Sequence, residues 1–149
     1  MSVKKVKGRT PSGYLQFQDL SGNYLAGFNA QGFQLAKLPV VAKAASYTVT
    51  AAESGTLFTT TGASGAVTFT LPAKVAGLHF WFYNTVAQDM IVASDAVDTM
   101  VAFNDVAADS VATSTNSEEY GGAFHVVCDG TYWLAMNVSA GANTITVAT

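Results

Sequence analysis

Short strand patterns separated by turn residues constrain the fold most, and residues 47–83 show them most clearly. Residues 66–71 (AVTFTL) alternate apolar and hydroxyl side chains, the period-two pattern of a strand with one buried face. A glycine- and serine-containing turn precedes this run and Pro72 ends it, so its limits are well marked. Similar runs recur every 8–12 residues with no convincing helical pattern. This spacing predicts an all-β fold, an antiparallel β-sandwich or barrel of jelly-roll-like type.

The strand at residues 78–83 (LHFWFY) is apolar or aromatic on both faces. Because side chains alternate along a strand, one face carries Leu78, Phe80 and Phe82. The other carries His79, Trp81 and Tyr83. Only 11% of residues are charged, against about 25% in an average globular domain. We therefore expect a homo-oligomer whose interface contains His79, Trp81 and Tyr83.

Two parts of different character are predicted along the chain. Residues 1–45 are interpreted as an extended N-terminal arm containing a meander of very short strands between Tyr14 and Leu35, followed by a connector without strand alternation. Residues 46–149 are interpreted as the β-sandwich or barrel body responsible for oligomerisation. Within it, Asp129-Gly130 predicts a two-residue type I′ hairpin.

Charge also separates the two parts. Residues 1–43 carry six basic residues and one acidic residue, whereas residues 44–149 carry one basic and nine acidic residues. A basic arm on an acidic body is typical of an interaction tail that contacts an acidic partner surface. Solubilisation of a frayed terminus is the alternative. Four clustered basic residues without interleaved aromatic residues are a weak indication of nucleic-acid binding, so no direct nucleic-acid contact is expected.

No catalytic or metal-binding pattern stands out. His125 and Cys128 lie an odd number of residues apart on a predicted strand, so their side chains are expected on opposite faces. With only two histidines and one cysteine, we predict no metal, no cofactor and no enzymatic activity. A glycosidase site with two paired carboxylates is an alternative interpretation of five aspartates, although aspartates set among Ala, Val and Ser are more typical of turns. They are Asp89, Asp95, Asp98, Asp105 and Asp109.

No run approaches the roughly 18 apolar residues of a membrane span, so no membrane partner is expected. The basic start of the chain has no apolar signal-peptide core, and a single cysteine gives no internal disulfide. We therefore expect that the protein is made in the cytosol and contains no internal disulfide bond.

Several stretches resemble small structural proteins of tailed bacteriophages. They are residues 47–55 (YTVTAAESG), residues 65–72 (GAVTFTLP), Gly77 with its aromatic strand, and residues 118–133 (EEYGGAFHVVCDGTYW). The pattern is similar to modules of head decoration (cement) proteins and of head or tail fibres, and it covers roughly residues 46–136.

The resemblance implies a virion structural protein, commonly trimeric, that is made in the host cytoplasm and binds the outer surface of the assembled capsid. Its partner would be the major capsid protein, and its function would be non-enzymatic stabilisation of the head. The alternative is a head or tail fibre module, or receptor-binding module, that contacts a host surface glycan through Trp133 or the Asp-rich loops. On the first interpretation the arm binds the capsid, with aromatic side chains as buried anchors. The predicted capsid-binding residues are Lys4, Lys5, Lys7, Arg9, Tyr14, Phe17, Tyr24, Phe28 and Phe33.

Overall fold

The computed structural model describes residues 38–139 and 143–149, together with the backbones of four short strands within residues 1–37. The chain divides into two compact units, residues 1–38 and 39–149. In the first unit, four strands form an antiparallel meander: β1 (Val6–Lys7), β2 (Leu15–Gln18), β3 (Tyr24–Asn29) and β4 (Gly32–Leu35).

The described residues of the second unit form twelve strands. Its one described helix is a three-residue 3-10 turn, Ala51–Glu53. The strands are β5 (Val40–Ala42), β6 (Tyr47–Thr48), β7 (Leu57–Thr59), β8 (Val67–Thr70), β9 (His79–Tyr83), β10 (Met90–Ala93), β11 (Met100–Ala102), β12 (Asp105–Ala108), β13 (Ser110–Thr113), β14 (Ala123–Cys128), β15 (Trp133–Asn137) and β16 (Thr146–Ala148).

These strands form two sheets that pack face to face, which confirms the predicted all-β sandwich. The seven-stranded sheet has the order β12-β11-β15-β14-β9-β7-β5, and the five-stranded sheet has the order β16-β13-β10-β8-β6. From β5 to β10 the chain crosses to the opposite sheet after every strand. Strands adjacent in sequence therefore face each other, and each strand pairs in parallel with the next but one. The sheets are consequently mixed, not purely antiparallel as the sequence predicted.

Aromatic side chains from both sheets fill the interior. Phe58, Phe69, Phe80 and Phe82 are at most 1% exposed, and their ring centroids lie 5.0–6.4 Å apart. Aromatic residues bury large apolar areas, and tilted pairs at these separations add to the stabilisation. The alternation predicted for residues 66–71 is confirmed in β8, whose burial pattern alternates between buried and half-buried positions.

Two local predictions were wrong. The connector after the arm contains a strand, β5, which pairs with β7 and belongs to the second unit. The Asp129-Gly130 turn is present, but Cys128 pairs with Trp133, so the loop contains four residues and not two. The Asp129 side chain accepts hydrogen bonds from the backbone N–H groups of Thr131 and Tyr132, both at 2.7 Å. These bonds satisfy two backbone N–H groups of the longer loop, and they lower the pKa of the Asp129 carboxyl.

Residues 100–108 form the β11–β12 hairpin. Ala102 pairs with Asp105, so Phe103 and Asn104 make the tip. Phe103 has a φ of 55° and is 60% exposed. The left-handed region costs an L-residue about 1–2 kcal/mol, and an aromatic residue has no side-chain hydrogen bond to offset it.

A buried hydrogen-bond network closes one end of the sandwich. Asn84 is fully buried; its Nδ2 donates to the carbonyl of Gln88 at 2.8 Å and to Thr113 Oγ1 at 3.2 Å. Its backbone N–H donates to the carbonyl of Gly122 at 2.8 Å. The backbone of Gly122 thus lies against the Thr113 side chain, and a Cβ on Gly122 would overlap that side chain.

We expect Gly122→Ala to lower the free energy of unfolding by about 1–3 kcal/mol, because fully buried Thr113 has no room to move away. Gly65→Ala is the matched control, since a Cβ at Gly65 meets no atom within 4 Å. Urea denaturation of the three proteins measures both effects. Equal stability of the Gly122→Ala variant and the wild type would contradict this account of the network.

Candidate interaction surface

The two faces of β9 have different environments. Phe80 and Phe82 point into the sandwich and are at most 1% exposed. His79 and Trp81 are half-buried, and Tyr83 is 44% exposed. The sequence prediction that β9 carries aromatic side chains on both faces is therefore confirmed, and no other described strand of the second unit packs on the second face.

Strand register extends this open face across the seven-stranded sheet. Trp81 lies level with Leu57 on one side and with His125 and Met136 on the other. The row through His79 continues through Val127, Leu134 and Val101. No strand position on this face from β5 to β11, in the part of the chain that is described, carries a charged side chain. We call it the outer apolar face; its large side chains are Val40, Leu57, His79, Trp81, Tyr83, Val101, His125, Val127, Leu134 and Met136.

The outer face of the five-stranded sheet differs in chemistry. It presents mainly hydroxyl groups and small side chains, among them Thr48, Thr68, Thr70 and Ser110. Hydroxyl groups bind water readily, whereas a contiguous apolar and aromatic patch of this kind marks an interaction site. The outer apolar face is therefore the better candidate for contact with another molecule.

Two imidazoles and an indole lie at the centre of the outer apolar face. The Trp81 and His125 rings stack with centroids 3.8 Å apart and an interplanar angle of 7°. His79 meets His125 edge-on, and His125 Nε2 lies 3.4 Å from His79 Nδ1. Partial burial lowers the pKa of His125, and the charge that His79 would carry lowers it further. The pair is therefore most stable with His125 neutral.

Several charged groups of the second unit lie in or beside its turns. Lys74 Nζ is 3.4 Å from Asp95 Oδ1. The carboxylates of Asp105 and Asp109 accept hydrogen bonds from the backbone N–H groups of Ala107 and Asp98, at 2.8 and 2.7 Å. These two aspartates thus stabilise turns, in agreement with the interpretation of the Asp-rich loops as turn chemistry.

The structure brings the three predicted interface residues, His79, Trp81 and Tyr83, together on the outer apolar face. That they contact another subunit stays a prediction. Of the predicted capsid-binding residues, Lys7, Phe17, Tyr24, Phe28 and Phe33 belong to strands whose backbone alone is described. Lys4, Lys5, Arg9 and Tyr14 lie outside the described residues.

The burial of the remaining candidate residues decides between their alternative roles. Cys128 is a free thiol and only 1% exposed, whereas His125 is on the outer face, so the predicted opposite placement is confirmed. Trp133 is fully buried against Phe80, with ring centroids 5.9 Å apart, and this corrects the suggestion that it stacks against a glycan. Among the described residues, no three His, Cys, Asp or Glu side chains lie close enough to hold a metal ion, and no helix is long enough to cross a membrane.

Sequence reasoning missed the contribution of His125. Its stacking on Trp81 depends on the pairing of β14 with β9, which joins residues 44 positions apart. Period-two alternation places a residue on one face of its strand but does not say which strand lies beside it. No local signal for this contact exists in the sequence.

We expect the free energy of unfolding to fall between pH 7.5 and pH 5.5. His125 has a lower pKa in the folded chain than its ordinary 6.5, so the unfolded chain binds protons first and acidification favours it. Full stability is present above about pH 6.5. The ordinary pKa of a carboxyl group is near 4, well below this window. His125→Gln keeps a planar side chain without the titration, and its stability should fall less in urea denaturation at the two pH values. An identical decrease in both proteins would exclude His125 as the cause.

Comparison of the chain with family models and with curated proteins indicates no function for this surface. No family model matches the chain, and a search of curated proteins finds no match.

Proposed function

We propose that this protein is a non-enzymatic structural protein that self-associates through the outer apolar face and attaches to a larger assembly through its N-terminal arm. By resemblance, that assembly is the head of a tailed bacteriophage, and the protein acts as a capsid decoration protein that stabilises the head from outside. The observation that carries the proposal is an uncharged, aromatic sheet face left open on a single chain.

Self-association would cover that face. Aromatic residues and methionine are enriched in the buried centres of protein interfaces, and charged residues are depleted there. Trp81, Tyr83 and Met136 supply such side chains, and no described strand position of the outer apolar face carries a charge. A second copy would bury apolar surface without desolvating a charged group, which is the favourable case for association.

The arm is suited to a separate attachment role. Residues 1–38 form their own compact unit, and the basic residues of the chain are concentrated in its first 43 positions. A basic arm orients and accelerates docking on an acidic surface, whereas its aromatic residues would supply the affinity. Self-association of the second units would present several arms at once, so modest single contacts would hold firmly.

Met136→Lys should weaken self-association by at least about tenfold while leaving the fold intact. Met136 is 45% exposed on the outer apolar face, so the ammonium group remains hydrated in a single chain but would be buried in the contact. Thr48→Lys introduces the same charge at an exposed position of the other sheet and is the control. Sedimentation velocity over a range of concentrations gives both association constants. A wild-type chain that remains monomeric at all concentrations would exclude the self-association part of the proposal.

Deleting residues 2–35 should leave a folded second unit that still self-associates but no longer binds phage heads, because residues 39–149 form a compact unit of their own. The measurement is co-sedimentation of the full chain and the truncated chain with undecorated heads at low and high salt. Saturable binding of the full chain, weakened by salt, is the expected result. Binding to host surface glycan and not to heads would support the receptor-binding alternative. Normal head binding by the truncated chain would remove the arm from the attachment.

A further inference from the structure

The His79–His125 pair lies at the centre of the face that the proposed contact covers. Both imidazoles are half-buried, His125 stacks on Trp81, and His125 Nε2 lies 3.4 Å from His79 Nδ1. At this separation the two nitrogens can share one proton in a hydrogen bond, whereas a proton on each would place two like charges side by side. The chain contains no other histidine.

The strands around the pair supply no charge that could balance a proton on it. Tyr83 is the other titratable side chain that β9 presents on this face, and the ordinary pKa of a phenol is about 10. The remaining neighbours on β7, β9, β14 and β15 are uncharged. They are Leu57, Trp81, Val127, Leu134 and Met136.

The turn before β7 also lies against His79. Ser54 Oγ accepts a hydrogen bond from the His79 backbone N–H at 3.1 Å, and a Cβ on Gly55 would lie 3.8 Å from His79 Nε2. The charged residue beside this turn is Glu53, whose carboxylate accepts a hydrogen bond from the backbone N–H of Thr50 at 2.9 Å. Among the described residues, neither imidazole forms an ion pair with a carboxylate. Hydration is therefore what stabilises a proton on the pair in a single chain.

We infer that self-association through the outer apolar face requires both imidazoles to be neutral, so that copies associate near neutral pH and separate when the pair takes up a proton. This inference rests on the proposed self-association and adds its regulation.

Desolvation supplies the mechanism. Partial burial already lowers the pKa of His125 in a single chain. A second copy seated on the face would exclude the water that hydrates a charged pair, and a buried charge without a partner is costly. Each copy that associates from its protonated form must first release that proton to the solvent. Lowering the pH therefore favours the separate chains.

The direction of this effect distinguishes it from an effect of net charge. The chain has a formal net charge of −3 when its histidines are neutral, so protonation brings the net charge closer to zero. A smaller net charge favours association. The inference predicts the opposite result, because the desolvated pair lies inside the contact, whereas repulsion between whole chains is screened beyond about 8 Å at physiological salt.

The test is sedimentation velocity of the full chain at pH 7.5 and pH 5.5, at physiological ionic strength. His79→Gln, His125→Gln and the double variant replace imidazoles with planar side chains that do not titrate. Each protein is compared with itself at the two pH values, so a change of its strength at pH 7.5 does not enter the result. As a control, Thr48→His is added to the double variant, because it restores one titrating imidazole at an exposed position of the other sheet.

The wild-type association constant should fall by at least about tenfold from pH 7.5 to pH 5.5, since an imidazole with an ordinary pKa is mostly protonated at the lower pH. Each single variant should retain part of this decrease. The double variant, with or without Thr48→His, should change by less than about twofold. Dilution calorimetry in two buffers with different heats of ionisation should show proton uptake when the wild type dissociates near pH 6, and none for the double variant.

A wild-type association constant that is equal at the two pH values, or larger at pH 5.5, would overturn the inference while the proposed self-association stands. A decrease of wild-type size in the double variant would also overturn it. Circular dichroism of diluted wild type at pH 5.5 should show a folded chain, and an unfolded one would assign the decrease to unfolding and reject the inference. A wild-type chain that associates at neither pH would instead overturn the proposed function.

Discussion

Strand β9 pairs in parallel with β7 on one side and antiparallel with β14 on the other, and the rest of the second unit depends on these two pairings. Its inward residues, Phe80 and Phe82, join Phe58 and Phe69 in the aromatic interior that holds the two sheets together. Its outward residues form the centre of the outer apolar face. The same strand therefore supplies both the stability of the sandwich and the surface through which we propose that copies associate.

The distribution of charge divides the molecule into regions with different roles. The basic residues are concentrated in residues 1–43, nine of the ten acidic residues lie in residues 44–149, and the described strand positions of the outer apolar face are uncharged. A sheet face without charges is poorly hydrated, so covering it releases water at little electrostatic penalty. The proposed assembly requires an uncharged sheet face for self-association and a basic arm for attachment.

At two sites of the seven-stranded sheet the surroundings or the geometry are unfavourable for one state of a residue. They are the protonated state of His125 beside His79 and the left-handed backbone of Phe103. Covering the outer apolar face would desolvate the His125 imidazole further and strengthen its preference for the neutral state. Phe103 is held in an unfavourable conformation by a hairpin whose two strands pair on either side of it. Both sites lie on the seven-stranded sheet, so one sheet carries the titratable pair and the strained tip.

Period-two alternation by itself determined the strands at residues 66–71 and 78–83, the inward direction of Phe69 and Phe80, and the outward direction of His79, Trp81 and Tyr83, because it follows from backbone geometry alone. Only the tertiary structure decided which strands are neighbours. The chain crosses between sheets after each strand from β5 to β10, so pairing is parallel and non-local, and no local pattern encodes it. The stacking of His125 on Trp81 depends on the antiparallel pairing of β9 with β14, whereas the four-residue turn at Asp129 and the left-handed Phe103 depend on the registers of the β14–β15 and β11–β12 hairpins.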